Sequence, residues 1–222
     1  MITSAHNPKL KLIRRLLESR RQREKEGLFV CEGEDLVDAA REAGVEAVEL
    51  LVAGEDVDAS LVAELSTLGH PPRVVGIYRR DDLPRGTAAP TLARWHVGDP
   101  GNVGTLLRTA DAFAAGIALS AGCADPTGPK ALRASAGAIF RVPVARFDDA
   151  PRPWIALVAR GGMALDQVPH AATFVLGAER EGVPADVLAR CDGRATIALA
   201  PRSESLNVAA AGAIALYEAR RH

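Results

Sequence analysis

Residues 195–221 read ATIALAPRSESLNVAAAGAIALYEARR. The apolar run 197–200 predicts a buried strand, 201–204 a polar loop, and Ser205-Leu206-Asn207 the start of a helix rich in Ala and Leu. Ser205 is placed to cap that helix, because its hydroxyl can accept an unpaired N–H of the first turn. Val208, Ala211, Ile214, Ala215 and Leu216 would form the buried face, and Glu218, Arg220 and Arg221 would end it in water. A strand, a loop and a helix N-terminus in that order often hold a polar ligand. The rest of the chain must say which.

The 222 residues suffice for one large or two small domains. With 48% hydrophobic residues, 25% charged residues and a net charge of −1, bulk charge gives no reason to expect a nucleic acid; any basic surface is local. Cys31, Cys123 and Cys191 are odd in number and lack metal-ligand spacing, so they read as small apolar residues in a reduced compartment, with no metal expected. No run reaches membrane-spanning length and the first residues lack a signal-type apolar core, so the expectation is a cytoplasmic protein with no membrane partner. Only 4% of residues are aromatic, which argues against recognition built mainly on stacked bases.

Between residues 9 and 25 lie Lys9, Lys11, Arg14, Arg15, Arg20, Arg21, Arg23 and Lys25 against two Glu, with Leu10, Ile13, Leu16 and Leu17 on one stripe. This predicts one amphipathic basic helix, either solvated or in contact with phosphates. Strands over 28–31, 48–52 and 73–77 alternate with helices over 34–43 and 57–68, which suggests a small layered α/β unit. Pro84, Gly86 and Pro90 mark a linker around 80–90. A second series follows: strands over 92–97, 117–120, 142–145, 155–159 and 173–176, and helices over 105–115, 130–137 and from Pro184. Repeated strand-loop-helix units imply a mostly parallel sheet covered on both faces.

Three glycine-bearing or polar loops follow strands, at 99–104, 177–182 and before Ser205; such loops let backbone N–H groups meet a ligand. Neither glycine loop has the dinucleotide fingerprint, and there is no phosphate loop. The five histidines are scattered and form no nucleophilic triad. Arg108 either pairs with Asp111 or aims a cation at the ligand loops. Glu179 either complements a helix dipole or fixes that arginine, and Asn207 at a helix start fits ordinary capping chemistry.

Together these segments resemble the SpoU (TrmH) family of RNA ribose methyltransferases in the SPOUT superfamily. The first motif matches as Asn102-Val103-Gly104 with Arg108-Thr109-Ala110, and the second as Leu176-Gly177-Ala178-Glu179 with Gly182. The third matches as Glu204-Ser205-Leu206-Asn207-Val208 with Leu216-Tyr217-Glu218. Ala124-Asp125-Pro126, Lys130, Arg133 through Ala138 and the N-terminal Asn7-Pro8 also look like the family. The resemblance implies an α/β chain: a small RNA-binding domain over 1–88, then over 89–222 a parallel-sheet domain with a deep trefoil knot, against the usual rule that chains do not thread loops. It implies S-adenosylmethionine as cofactor, held by Leu176, Gly177, Ile197, Leu199, Leu206 and Asn207. Asn102, Arg108, Glu179, Ser205 and Asn207 would form the catalytic group. The N-terminal cations, with Lys130 and Arg133, would hold RNA, and the family's members work as homodimers. Two positions depart from the pattern, Ala198 where proline is usual and Pro201 where glycine is usual.

The activity implied is methylation of a ribose 2′-hydroxyl, with ribosomal RNA of the large subunit favoured as substrate and transfer RNA as the alternative. A non-catalytic RNA-binding protein of the same fold and a base-nitrogen methyltransferase are the rivals.

Overall fold

The computed structural model describes every residue except Val97, Glu179, Arg180, Pro201, Glu204 and His222. The basic stretch is two helices rather than one. Asn7 caps α1 (Pro8–Glu18), whose Leu10, Ile13, Leu16 and Leu17 are buried as their spacing predicts. Ser19 is extended, ends α1 and caps α2 (Arg20–Glu26) through its hydroxyl, so a capping side chain breaks the helix that charge and periodicity make continuous.

The first unit continues through β1 (Leu28–Glu32), α3 (Glu34–Glu42), β2 (Glu49–Val52), α4 (Ala59–Leu65) and β3 (Val74–Arg79). Its strand order is β1-β3-β2, with β3 antiparallel to both neighbours.

The second unit holds β4 (Thr91–Arg94), α5 (Pro100–Ala112), β5 (Gly116–Leu119), α6 (Pro129–Ser135), β6 (Val144–Arg146), β7 (Trp154–Leu157) and β8 (Met163–Ala164). It ends with β9 (Thr173–Leu176), α7 (Ala185–Leu188), β10 (Gly193–Thr196) and α8 (Val208–Arg220). The sheet order is β6-β5-β4-β9-β7-β10-β8, and every pairing is parallel.

Several boundaries differ from the sequence expectation for identifiable reasons. The last strand lies at 193–196, where its backbone pairs with both β7 and β8; Ile197 and Leu199 follow it as partly buried loop residues. Ser205 is not the cap of α8. Asn207 is, its Oδ1 accepting from the N–H groups of Ala209 and Ala210. Helix α5 starts at Pro100, because Asp99 caps it by accepting from Gly101 and Asn102. Pro184 caps α7 instead of sitting at its first turn. Ile214, expected inside, is 38% exposed.

The two units share a core. Phe29 and Tyr78 from the first sheet pack with Phe140 of the second unit at centroid separations of 5.6–6.1 Å. At the same seam Gly137 fits only as glycine, since a β-carbon would lie 2.3 Å from that of Ala39. Within the second unit, a β-carbon on Gly104 would meet the Ala131 carbonyl at 2.2 Å and one on Gly212 would meet Leu106 at 2.8 Å. Gly104 therefore serves the approach of α6 to α5, not the approach of a ligand. Close packing on both sides of α5 fixes where its first turn points.

Candidate active site and nucleic-acid face

In an open parallel sheet, ligands bind beyond the carboxyl ends of the strands, where neighbouring loops diverge. Here β4 and β9 are adjacent although they are far apart in sequence. The loop after β4 delivers Asn102, and the loop after β9 delivers residues 177–178 and 181–182.

A cleft of about 430 Å³ opens at the ends of β9, β7 and β10. Its walls come from residues 157–159, 176–178, 181–182, Ile197, Leu199, Ser205, Leu206 and the first turn of α8. The size is within the range of small-molecule pockets, roughly 300–1,000 Å³. Of the residues that the resemblance implies for the cofactor, Leu176, Gly177, Ile197, Leu199 and Leu206 line it, while Asn207 stands between the lining residues Leu206 and Val208 and is not itself in the wall. The segment 157–159 and Glu181 were missed; the usable signal was that 157–159 ends a strand of the same parallel sheet.

Gly177 is required by packing, because a β-carbon would sit 2.0 Å from the Gly182 backbone. The loop is folded on itself by the paired Ala178 and Gly182 N–H···O bonds, at 3.0 and 2.8 Å. Its entrance is held by an arginine that sequence reasoning also missed. Arg94, fully buried at the end of β4, donates from Nη1 to the Gly177 carbonyl at 3.0 Å.

Two catalytic candidates 105 positions apart come together: Asn207 Nδ2 donates to Asn102 Oδ1 at 3.2 Å. The capping bonds fix the Asn207 amide with its oxygen toward α8 and its nitrogen toward α5. Asp99, which caps the helix carrying Asn102, accepts from Lys130 Nζ at 2.7 Å. That bond holds the Asp99 carboxyl below the ordinary carboxylate range. Lys130, expected on RNA, is thus engaged at the first turn of α5.

Arg108 lies within α5 with its side chain exposed, and no side-chain hydrogen bond or ion pair joins it to another described residue. Asp111, its possible partner, is held by a forked interaction from Arg141, at 2.7–3.1 Å. Helix geometry places Arg108 about 9 Å along α5 from Asn102 and about 120° round it, so the two are not on one face. Ser205 is exposed and lines the cleft. Glu179 and Pro201 lie outside the described residues.

Among the N-terminal cations, Lys11, Arg14, Arg15, Arg21 and Lys25 are exposed on α1 and α2, while Lys9 pairs with Glu49 at 2.7 Å. Arg23 is corrected: it is 6% exposed and bonds Asp125 Oδ2 at 2.8 Å and the Leu16 carbonyl at 2.6 Å, so it offers no free cation to a phosphate. Arg20 donates to the Cys123 carbonyl and pairs with Glu24, and Arg133 donates to Thr67 Oγ1 at 2.6 Å near the buried Glu32. Three of the expected RNA residues are therefore tied to the seam between the units. Among the described residues no cluster of His, Cys, Asp and Glu could hold a metal, and no helix is long and apolar enough to cross a membrane.

The SpoU rRNA methylase family model matches residues 90–217, and an MRM3-like substrate binding domain model matches residues 7–75. The chain belongs to the SpoU rRNA methylase family. Among curated relatives of this SpoU protein, a tRNA/rRNA methyltransferase of Synechocystis, itself uncharacterised, is 32% identical over 99% of the chain and 93% of the relative. The 23S rRNA (guanosine(2553)-2′-O)-methyltransferase RlmP of Bacillus subtilis is 32% identical over 99% of the chain and 98% of the relative. An AdoMet-bound rRNA methyltransferase from Sinorhizobium meliloti has the same fold, with a TM-score of 0.86 at 29% identity over 100% of this chain and 97% of that one.

Proposed function

We propose that this SpoU protein transfers a methyl group from S-adenosylmethionine to a ribose 2′-hydroxyl of large-subunit ribosomal RNA. The observation that carries the reading is the Asn102–Asn207 pair, which joins α5 to α8 at the edge of the cleft. The cleft fits the cofactor in size and chemistry: leucine and isoleucine side chains for a heterocycle, backbone N–H and C=O groups at 177–178 and 181–182 for its polar edge, and a carboxylate at Glu181 for a cationic centre. S-adenosylmethionine would supply a methyl already activated on a sulfonium: the new C–O bond would replace the S–C bond, S-adenosylhomocysteine would leave, and the hydroxyl proton would pass to solvent water. The protein then needs mainly to align the ribose and accommodate charge on its oxygen.

In this reading the fixed amides of Asn102 and Asn207 orient the ribose, with Ser205 beside them. Arg108 is always cationic and a poor base, so it stabilises developing alkoxide charge or binds the adjoining phosphate. Glu179 completes the group. The separation of Arg108 from Asn102 along α5 fits a homodimer in which Arg108 serves a site at the subunit interface. Leu206, Ile214 and Tyr217 are 37%, 38% and 57% exposed, and they supply an apolar face for that contact.

Residues 1–88 act as the RNA grip through Lys11, Arg14, Arg15, Arg21 and Lys25, and residues 89–222 as the knotted methyltransferase domain. The insertion of β10 between the earlier strands β7 and β8 supports the knot. Ribosomal RNA is preferred over transfer RNA because likeness to the full-length ribosomal enzyme of B. subtilis extends through the grip. A cytoplasmic location follows from that substrate.

The test incubates the protein with unmodified 23S rRNA and labelled S-adenosylmethionine and analyses ribonuclease digests by mass spectrometry. A 2′-O-methylnucleotide is expected. A methylated base, or methyl transfer to tRNA alone, refutes the reading. Replacing Arg108 by Ala should abolish transfer while calorimetry shows cofactor affinity nearly unchanged.

A further inference from the structure

Asp125 sits between the two units and is 6% exposed. Its carboxylate accepts from Arg23 Nε of α2 at 2.8 Å and from Arg80, just after β3, at 3.3 Å. From its own loop it accepts from the N–H and hydroxyl of Thr127, at 3.0 and 2.7 Å. Arg80 also reaches Thr127 Oγ1 at 2.8 Å. Arg23 and Asp125 do not line the cleft at the ends of β9, β7 and β10, yet burying them is costly unless every bond is made.

The loop they hold leads through Gly128 directly into α6, whose Lys130 grips Asp99. Asp99 caps α5 at Asn102, and Asn102 receives the bond from Asn207. A continuous series of charge-assisted bonds and one short helix thus runs from the cationic helices to the asparagine pair. Gly128 keeps it tight: a β-carbon there would lie 3.2 Å from the Asp125 carbonyl and 3.4 Å from Arg23.

We infer that Asp125 is a positioning residue that fixes the RNA grip at a preset distance and angle from the catalytic asparagines. The inference rests on the methyltransferase reading for its activity readout, but not for its structural one. Small displacements of a reacting group can cost about 10²-fold in rate, so a loosened hub should appear in turnover before it appears in binding.

The test is Asp125→Asn in the full chain. Single-turnover methyl transfer to an unmodified 23S rRNA hairpin should fall at least tenfold, while affinities for the hairpin and for S-adenosylmethionine stay within about twofold, because the exposed cations and the cleft are untouched. Lys130→Met, which cuts the same path at Asp99, should add little in the Asp125→Asn background. Additive losses, unchanged turnover, or weaker hairpin binding with turnover intact would each overturn the inference. Should Asp125→Asn fail to fold, Arg80→Met at the partly exposed rim of the hub takes its place. Spin labels on non-natural residues at positions 14 and 160 give a readout free of chemistry. The distance distribution should broaden in the variant, and an unchanged one overturns the inference even if the wild type methylates nothing.

Discussion

Asn207 has two jobs that chemistry can separate. Its Oδ1 accepts the N–H groups of Ala209 and Ala210, and its Nδ2 donates to Asn102. Asn207→Ala removes both and should lower stability by about 1 kcal/mol, the usual worth of a cap, as well as removing activity. Asn207→Asp keeps an accepting cap at the positive end of α8 but presents oxygen where Asn102 needs a donor. Thermal unfolding should therefore leave the aspartate variant near wild type, while its methyl transfer falls at least a hundredfold; retained transfer would show that the amide pair is not catalytic. Gly177 and Gly104 show a similar division. Both look like ligand-loop glycines in the sequence, but only Gly177 lines the cleft, whereas Gly104 is needed for helix contact.

At the scale of elements, α2 and the loop before α6 are held by an ion cluster whose strength depends on pH. Burial pushes the Asp125 carboxyl up, but the hydrogen bonds from Arg23 and Thr127 and the charge of Arg80 outweigh it and hold the group below the ordinary carboxylate value. A depressed folded value means that the contribution is fully present above the unfolded value of about 3.9 and is lost as pH falls through the folded one. Urea midpoints measured from pH 7 down to pH 3 should therefore fall more for the wild type than for Asp125→Asn. Parallel curves would show that Asp125 is not the group being titrated. The helices around this clasp were only partly legible in the sequence. The stripe of α1 was readable because four buried side chains repeat at helical spacing, but the break at Ser19 depends on a capping bond that competes with helix continuation.

For the whole molecule, the shared core decides how separable the units are. Family resemblance suggests that residues 1–88 could be removed while the cofactor site survives. Phe29 and Tyr78, however, cover Phe140, and Ala39 fills the space over Gly137. Deletion of 1–88 should therefore expose apolar surface and yield an aggregating or much less stable fragment. A soluble monodisperse fragment with native cofactor affinity would disprove this dependence. Assembly is argued at the same scale. Ile214 and Tyr217 stand on the outer side of α8, which packs on α5. Tyr217→Glu with Ile214→Glu should shift the mass seen by light scattering from dimer to monomer, with methyl transfer lost alongside; an unchanged mass would remove this face from the proposed contact.

The sequence by itself determined the alternation of elements and the parallel class of the larger sheet, which are carried by local periodicity and by glycines and polar residues at strand ends. Its resemblance to the family, not its periodicity, marked Leu176, Gly177, Ile197, Leu199 and Leu206 at the cleft, and it left out 157–159 and Glu181. Tertiary structure alone decided three things. The final strand lies at 193–196 because two neighbouring strands offer backbone pairing there, which no property of 197–200 reveals. Asn207, the cap of α8, also reaches Asn102 on another helix with its amide nitrogen, a contact that no local pattern reveals. Arg20, Arg23 and Arg133 read as cations for RNA, yet each is also bound by a partner 66 to 103 positions away. Charge along a chain shows where cations are; only the folded neighbours determine which of them remain free for a ligand.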